Sequence, residues 1–283
     1  MEMNNNTLRK VQLTQLEMLE YVDVFCKKYG LKYSLFGGTL LGAVRHQGFI
    51  PWDDDLDICM PRDDYNKFID LWSKENHLEY ILQNKDNTPE FTQDFTKIRK
   101  YNSNFYTEYD VGKNYHTGIF IDIFPADRAP EKKIKRIFFY INVMLYHLMI
   151  REFAPPEANK IIRYGCEAIL KIVPKKKRES FRNNLLKKVT KNNSNKELPV
   201  VMFETIETMK LLCNATLLDN YEPVLFEGRY FDCFVEREHY LEVTYGEYMK
   251  LPPESEREWK HKPLQISFTD CPKGYEKRIY AKS

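Results

Sequence analysis

FGGTLLGAVRHQGFIPWDDDLDICM, residues 36–60, joins a glycine pair to a short apolar run and an acidic cluster that leads into a β-prone segment. The KYSL before it reads as a short strand, so Gly37 and Gly38 fall where strand gives way to helix near Thr39. Glycines at such a point let the backbone approach a phosphate closely and offer it N–H groups at the helix start. The next strand carries a D-x-D, Asp55 and Asp57, whose alternation points both carboxylates to one face roughly 7 Å apart. Two like charges so placed are costly unless a cation lies between them. Paired hard carboxylates favour Mg2+ or Mn2+, which bridge phosphate oxygens rather than sit in an all-protein cage.

A third acid follows 65 positions after Asp57, in Phe120-Ile121-Asp122-Ile123-Phe124. A carboxylate in so apolar a strand is buried and needs a metal or a positive partner. Strand and glycine pair, then D-x-D, then an apolar-flanked Asp is the layout of nucleotidyltransferase-fold active sites. The expected fold is therefore α/β (α+β), a nucleotidyltransferase-like mixed-sheet core with a helical insertion or subdomain. Asp55, Asp57 and Asp122 are the expected catalytic and metal-binding residues. Gly37, Gly38 and Thr39 are expected to contact phosphates, with Arg45, Lys97 and Arg99 offsetting the remaining charge. In the bland alternative Asp53–Asp57 only shape a loop, Asp122 pairs with an arginine, and Arg45 bridges to Asp53 or Asp54. Asp53 and Asp54 rank lower as ligands, because adjacent positions cannot all face one ion.

Outward from this block, residues 7–29 carry apolar positions at helical spacing, closed by Gly30. Pro61 with RDDYNKFIDLW predicts a helix start with acidic residues suited to its dipole. Strands are predicted at 79–83, 94–100, 104–109 and 118–124. After Pro130 the pattern becomes helical, through 131–152, 157–172 and 175–191, and NNSNKELP (192–199) reads as a polar loop. A helix at about 203–215, turn and strand character in VLFEGRYFDCF, and a helix in HYLEVTYGEYM complete the pattern. The expected organisation is a catalytic core over 1–130, a basic helical subdomain over 131–200, and a C-terminal segment, 201–283, packing back on the core.

The 43% hydrophobic and 30% charged content is that of an ordinary globular chain and excludes disorder. The six cysteines form no C-x-x-C pair, so neither a zinc site nor a disulfide framework is expected. They read as reduced thiols of a cytoplasmic protein, and the N-terminus lacks the apolar run of a signal peptide. IFFYINVMLYHLMI (137–150) is too short to span a bilayer comfortably. It lies in a basic island, since residues 131–191 hold 16 Lys/Arg against 5 Asp/Glu. Such an island is compatible with peripheral contact at the inner face of a membrane or with a polyanionic glycan, and more readily with solvated basic faces around a buried helix. Nucleic acid is not an expected partner, because the basic surplus shows no recognition motif.

The run GGTLLGAVRHQGFIPWDDDLDICMPRDDY, the later TGIFIDIFPAD, and YGEYMKLPP with a following His261 resemble the LicD family, which is similar to the fukutin-related proteins. These motifs run in order from residue 33 to 261, most of the chain. The resemblance implies a nucleotidyltransferase-type fold. It also implies transfer of phosphocholine from CDP-choline to a sugar of teichoic acid, lipopolysaccharide or another surface glycan, with a lipid-linked acceptor allowed. It carries metal binding onto Asp55 and Asp57, and the third acidic position onto Asp122.

Two further readings compete. One keeps the fold and changes the donor to a CDP ester of phosphoethanolamine or a phosphopolyol, or makes the reaction true nucleotidyl transfer. The other is a non-catalytic binder of glycan or membrane surface. Trp52, Tyr101, Tyr106, Tyr109, Tyr115 and Trp259 are candidates for a trimethylammonium cage, though core packing suits each of them. His116 and His261 stay unassigned as bases, and Glu227 is a further acidic candidate.

Overall fold

The apolar spacing of residues 7–29 folds as α1 (Asn5–Tyr29) in the computed structural model, which describes residues 5–155, 158–203, 205 and 207–270. Its inner face buries Val11, Met18, Leu19, Val22 and Phe25, and Gly30 ends it at φ +63°. The chain continues through β1 (Ser34–Leu35), α2 (Gly37–His46), β2 (Asp57–Pro61), α3 (Arg62–Lys74), β3 (Tyr80–Gln83), β4 (Thr96–Lys100), β5 (Asn104–Tyr106) and β6 (Phe120–Arg128). Pro61 precedes the first turn of α3, where Asp63 and Asp64 suit the helix dipole. The expected α/β class is what the structure has, built on a mixed sheet.

The chain divides into two compact units. The first takes the residues up to Gln83, Phe95–Pro125 and the segment from Leu217 onward. Its sheet runs β1, β2, β6, β4, β3. The antiparallel β4–β6 register sets Lys97 opposite Asp122 and Arg99 opposite Phe120. On the β2 side, the Asp122 N–H donates to the Leu56 carbonyl at 2.9 Å.

The second unit, Asn84–Asp94 with Ala126–Thr216, holds α4 (Lys133–Arg151), α5 (Lys160–Ile172), α6 (Lys175–Thr190) and β7 (Val200–Val201). Phe139, Val143, Tyr146 and Ile150 of α4 pack with Leu185 and Val189 of α6 around its core. β7 pairs with Asp127 and Arg128 at the end of β6, and the Arg128 guanidinium donates to the carbonyls of Lys196, Leu198 and Ala215. That is how the polar loop 192–199 is held.

Beyond Leu217 the first unit adds the hairpin β8 (Tyr221–Phe226) and β9 (Arg229–Phe234), α7 (Arg237–Tyr245), and β10 (Gln265–Ser267), which pairs with β5. Glu227 and Gly228 turn the hairpin at positive φ, 53° and 75°, as a tight two-residue turn requires.

Two expectations fail. Asp55 is not on a strand: β2 begins at Asp57, and Asp53–Leu56 lead into it without regular secondary structure. The helix at about 203–215 is absent among the described residues, where Thr208–Lys210 make a short 3-10 turn and Val200 bridges to Cys213. Thr205 and Thr208 exchange side-chain and backbone hydrogen bonds there, which offers the backbone an alternative to helix.

The turn leaving α2 explains one glycine. A Cβ on Gly42 would stand 2.5 Å from the Gly48 carbonyl oxygen, a backbone atom that cannot swing aside. Gly42→Ala is expected to lower unfolding free energy by about 1–3 kcal/mol in chemical denaturation.

Candidate active site

The acidic segment is held from both sides by polar side chains that carry no motif. Gln12 and Gln15 of α1 are buried, and their amides donate to the carbonyls of Asp53 and Asp54 at 2.9 Å each. From the other side the Thr39 hydroxyl accepts the Asp57 N–H at 2.8 Å, so it is committed first to fixing the start of β2. Gly37 and Gly38 open α2 with no side chain because carboxylates occupy the space. A Cβ would lie 3.1 Å from Asp57 Oδ2 on Gly37 and 2.7 Å from Asp53 Oδ2 on Gly38. The first N–H groups of α2 therefore stand beside the acidic cluster, where a helix start attracts anions.

Asp122 is buried and receives Lys97 Nζ on both oxygens at 2.7 Å. The register across β4 and β6 supplies this partner, and the same ammonium lies 3.5 Å from the centre of the Phe120 ring. Burial outweighs the pairing on both groups, pushing Asp122 up and Lys97 down.

Asp55 meets Lys260, whose ammonium reaches Oδ2 at 3.1 Å although 62% of its side chain stays in solvent. Burial raises the Asp55 pKa, but Lys260, His261 and a hydrogen bond from Asp53 outweigh it and hold Asp55 below the usual carboxylate range. Asp53 and Asp57 go the other way. Each is pushed well above the usual range by burial and then by the charge of Asp55, with Asp122 adding to Asp57. Asp55 Oδ1 is buried and accepts no hydrogen bond among the described residues.

Lys260 is delivered by Asp54. That carboxylate is fully buried and accepts the Lys260 N–H at 3.2 Å, the His261 N–H at 3.1 Å and His261 Nδ1 at 3.1 Å. The His261 ring stands edge-on to Phe120 at 5.5 Å. Asp54 is thus a clamp for the C-terminal segment. Sequence reading ranked it low and missed Lys260, which sits in WKHKP without periodicity or motif.

The other candidates fall elsewhere. Arg99 is buried and donates to Gln83 Oε1 and the Gly118 carbonyl. Arg45 braces the chain after α7 through the carbonyl of Tyr248 at 2.9 Å and does not pair with Asp53 or Asp54. His116 accepts the Gly118 N–H on Nδ1, so its Nε2–H donates to the Tyr101 carbonyl, and the ring ties the end of β4 to the chain entering β6. Glu227 takes a bidentate Arg9 and the Phe49 N–H, which ties the hairpin turn to α1. Of the cage candidates, Tyr109 is 79% exposed, Tyr115 donates to Asp110 and Tyr101 stacks on His116. Trp52, next to Asp53 in the chain, carries the Arg257 guanidinium 5.4 Å over its ring.

Four carboxylates thus converge with two lysines for counter-charge. Among the described residues no three His, Cys, Asp or Glu side chains form a ready-made metal cage. The donor set nonetheless suits a hard divalent cation: it is all oxygen, it is short of positive charge, and it includes the unsatisfied Asp55 Oδ1.

Residues 30–150 match the LicD/FKTN/FKRP nucleotidyltransferase domain. The chain is 31% identical over 271 residues to the lipopolysaccharide cholinephosphotransferase LicD of Haemophilus influenzae, covering 92% of this chain and 97% of that protein. A stretch of 42 residues is 48% identical to the human ribitol 5-phosphate transferase FKRP, covering 15% of this chain and 8% of that protein. An uncharacterized protein of Rickettsia prowazekii is 34% identical over 136 residues, covering 48% of this chain and 40% of its own. The chain belongs to the LicD family. It is a transferase of the LicD type.

Proposed function

We propose that the protein transfers phosphocholine from CDP-choline to a sugar hydroxyl of a cell-surface glycan. The observation that carries this is the cluster of Asp53, Asp55, Asp57 and Asp122 at the start of α2, short of positive charge, in a chain similar along nearly its whole length to a cholinephosphotransferase. Asp55 and Asp57 would hold a divalent cation, with Asp122 as the third acidic position, and the cation supplies neutralisation of the donor diphosphate. The N–H groups of Gly37, Gly38 and Thr39 take up phosphate oxygens at the helix start. The acceptor hydroxyl oxygen attacks the phosphorus that bears choline, the bond from that phosphorus to the bridging oxygen breaks, and CMP leaves with the electron pair. The hydroxyl proton passes to Asp122, whose raised pKa suits it to a base, while Lys97 steadies the carboxylate. Lys260 holds Asp55 ionised, and with 62% of its side chain in solvent it is free to turn toward the donor phosphates when the donor binds.

The 42-residue match to a ribitol 5-phosphate transferase favours, as a second reading, a phosphopolyol moved from its CDP ester by the same residues. Product masses separate the two. Purified protein with Mg2+, a glycan acceptor and CDP-choline should release CMP and add one phosphocholine to the acceptor, and Asp55→Asn should lose both. Turnover of a CDP-polyol with CDP-choline untouched would replace the first reading by the second.

A further inference from the structure

Helix α4 carries a second apolar stripe that its own unit does not cover. Phe139, Val143, Tyr146 and Ile150 face the core, while Ile134, Ile137, Phe138, Ile141 and Met144 are 41–71% exposed. Their spacing puts the exposed five within an arc of about 120°, with Lys133 and Lys135 at its two edges. A helix facing only water has no use for such a row, and apolar surface rimmed by charge marks an interaction site. The neighbouring α5 repeats the pattern: it is strongly amphipathic, has no buried residue, and leaves Ile161 84% and Ile172 78% exposed.

Charge selects the occupant. Lys133–Arg151 contains four basic residues and no acid, within a region of 16 Lys/Arg against 5 Asp/Glu. A second copy of the same stripe would bring like charges together, whereas anionic lipid heads complement them. No helix among the described residues is long and apolar enough to cross a membrane. We propose that the exposed stripe of α4, edged by Lys133 and Lys135, docks peripherally on an anionic bilayer surface with Ile137, Phe138 and Ile141 inserted at the headgroup boundary. Docking does not depend on which group the active site transfers.

The test is co-flotation of the full chain with vesicles of phosphatidylcholine alone or mixed equally with phosphatidylglycerol. Binding to the mixed vesicles should exceed binding to the neutral ones at least about tenfold and weaken as salt is raised. Phe138→Gln with Ile141→Gln should reduce binding at least about tenfold. Both side chains are exposed, so the circular dichroism and melting of the variant should match the wild type. Failure to bind the mixed vesicles, equal binding to neutral vesicles, or unchanged binding of the variant would each overturn the proposal. So would a wild-type dimer in sedimentation velocity that the double substitution makes monomeric.

Discussion

Asp57→Asn is expected to lower kcat by about a thousandfold or more while making the metal-free protein more stable. The loss follows from removing one of the two carboxylates that would hold the divalent cation, whose positive charge would offset the donor phosphates. The gain follows from the Asp57 environment, where burial and then Asp55 oppose ionisation. A carboxyl whose pKa is raised by folding contributes stability that is full below its unfolded value, about 4, and is lost as pH rises through the folded value. Wild-type stability without divalent ions should therefore decline from about pH 4 upward through that range. Asparagine removes the decline and should add about 0.5–2 kcal/mol at neutral pH. Denaturant unfolding in EDTA across pH, beside steady-state CMP release, measures both halves. A variant that is inactive and less stable at neutral pH would show that Asp57 is a structural acid.

Asp54→Ala should have the other large effect, with the opposite signature. This carboxylate sits at 0% exposure and accepts two backbone N–H groups and an imidazole, so its removal leaves three donors without their acceptor. The expected cost is about 3–5 kcal/mol. Asp54→Asn, which keeps the shape and one acceptor oxygen, should cost less and detach Lys260 and His261 from the acids. In that variant the Asp55 pKa should rise toward its buried, unpaired value, which 13C NMR of the aspartate carboxyls can follow. An Asp55 titration unchanged in Asp54→Asn would refute the clamp.

Which parts of this site a sequence can disclose depends on the range of the interaction. The glycine pair, the D-x-D and the apolar-flanked Asp122 are legible because each is a local violation: flexible backbone at a helix start, or charge in a strand or at its entrance. Lys97 is visible as a charge, but its pairing with Asp122 comes from strand register. Gln12 and Gln15 look like ordinary polar helix positions, and their role appears only when α1 lies along Asp53 and Asp54. Lys260 and His261 meet the site across more than 200 residues through contacts that leave no spacing signal. The helix expected at about 203–215 failed because threonine side chains and the Val200–Cys213 bridge hold that segment otherwise. Strand placement of Asp55 failed by two residues, within the usual uncertainty of element boundaries.

The Lys260–Asp55 contact also sets an order of events during synthesis. The acidic segment leaves the ribosome 205 residues before the lysine that meets it. At about 5–20 residues per second the nascent chain carries those carboxylates without that partner for about 10–40 s. The first unit therefore completes the electrostatics of its acidic cluster last, after the whole intervening helical unit has been made, and the cluster is a late product of translation.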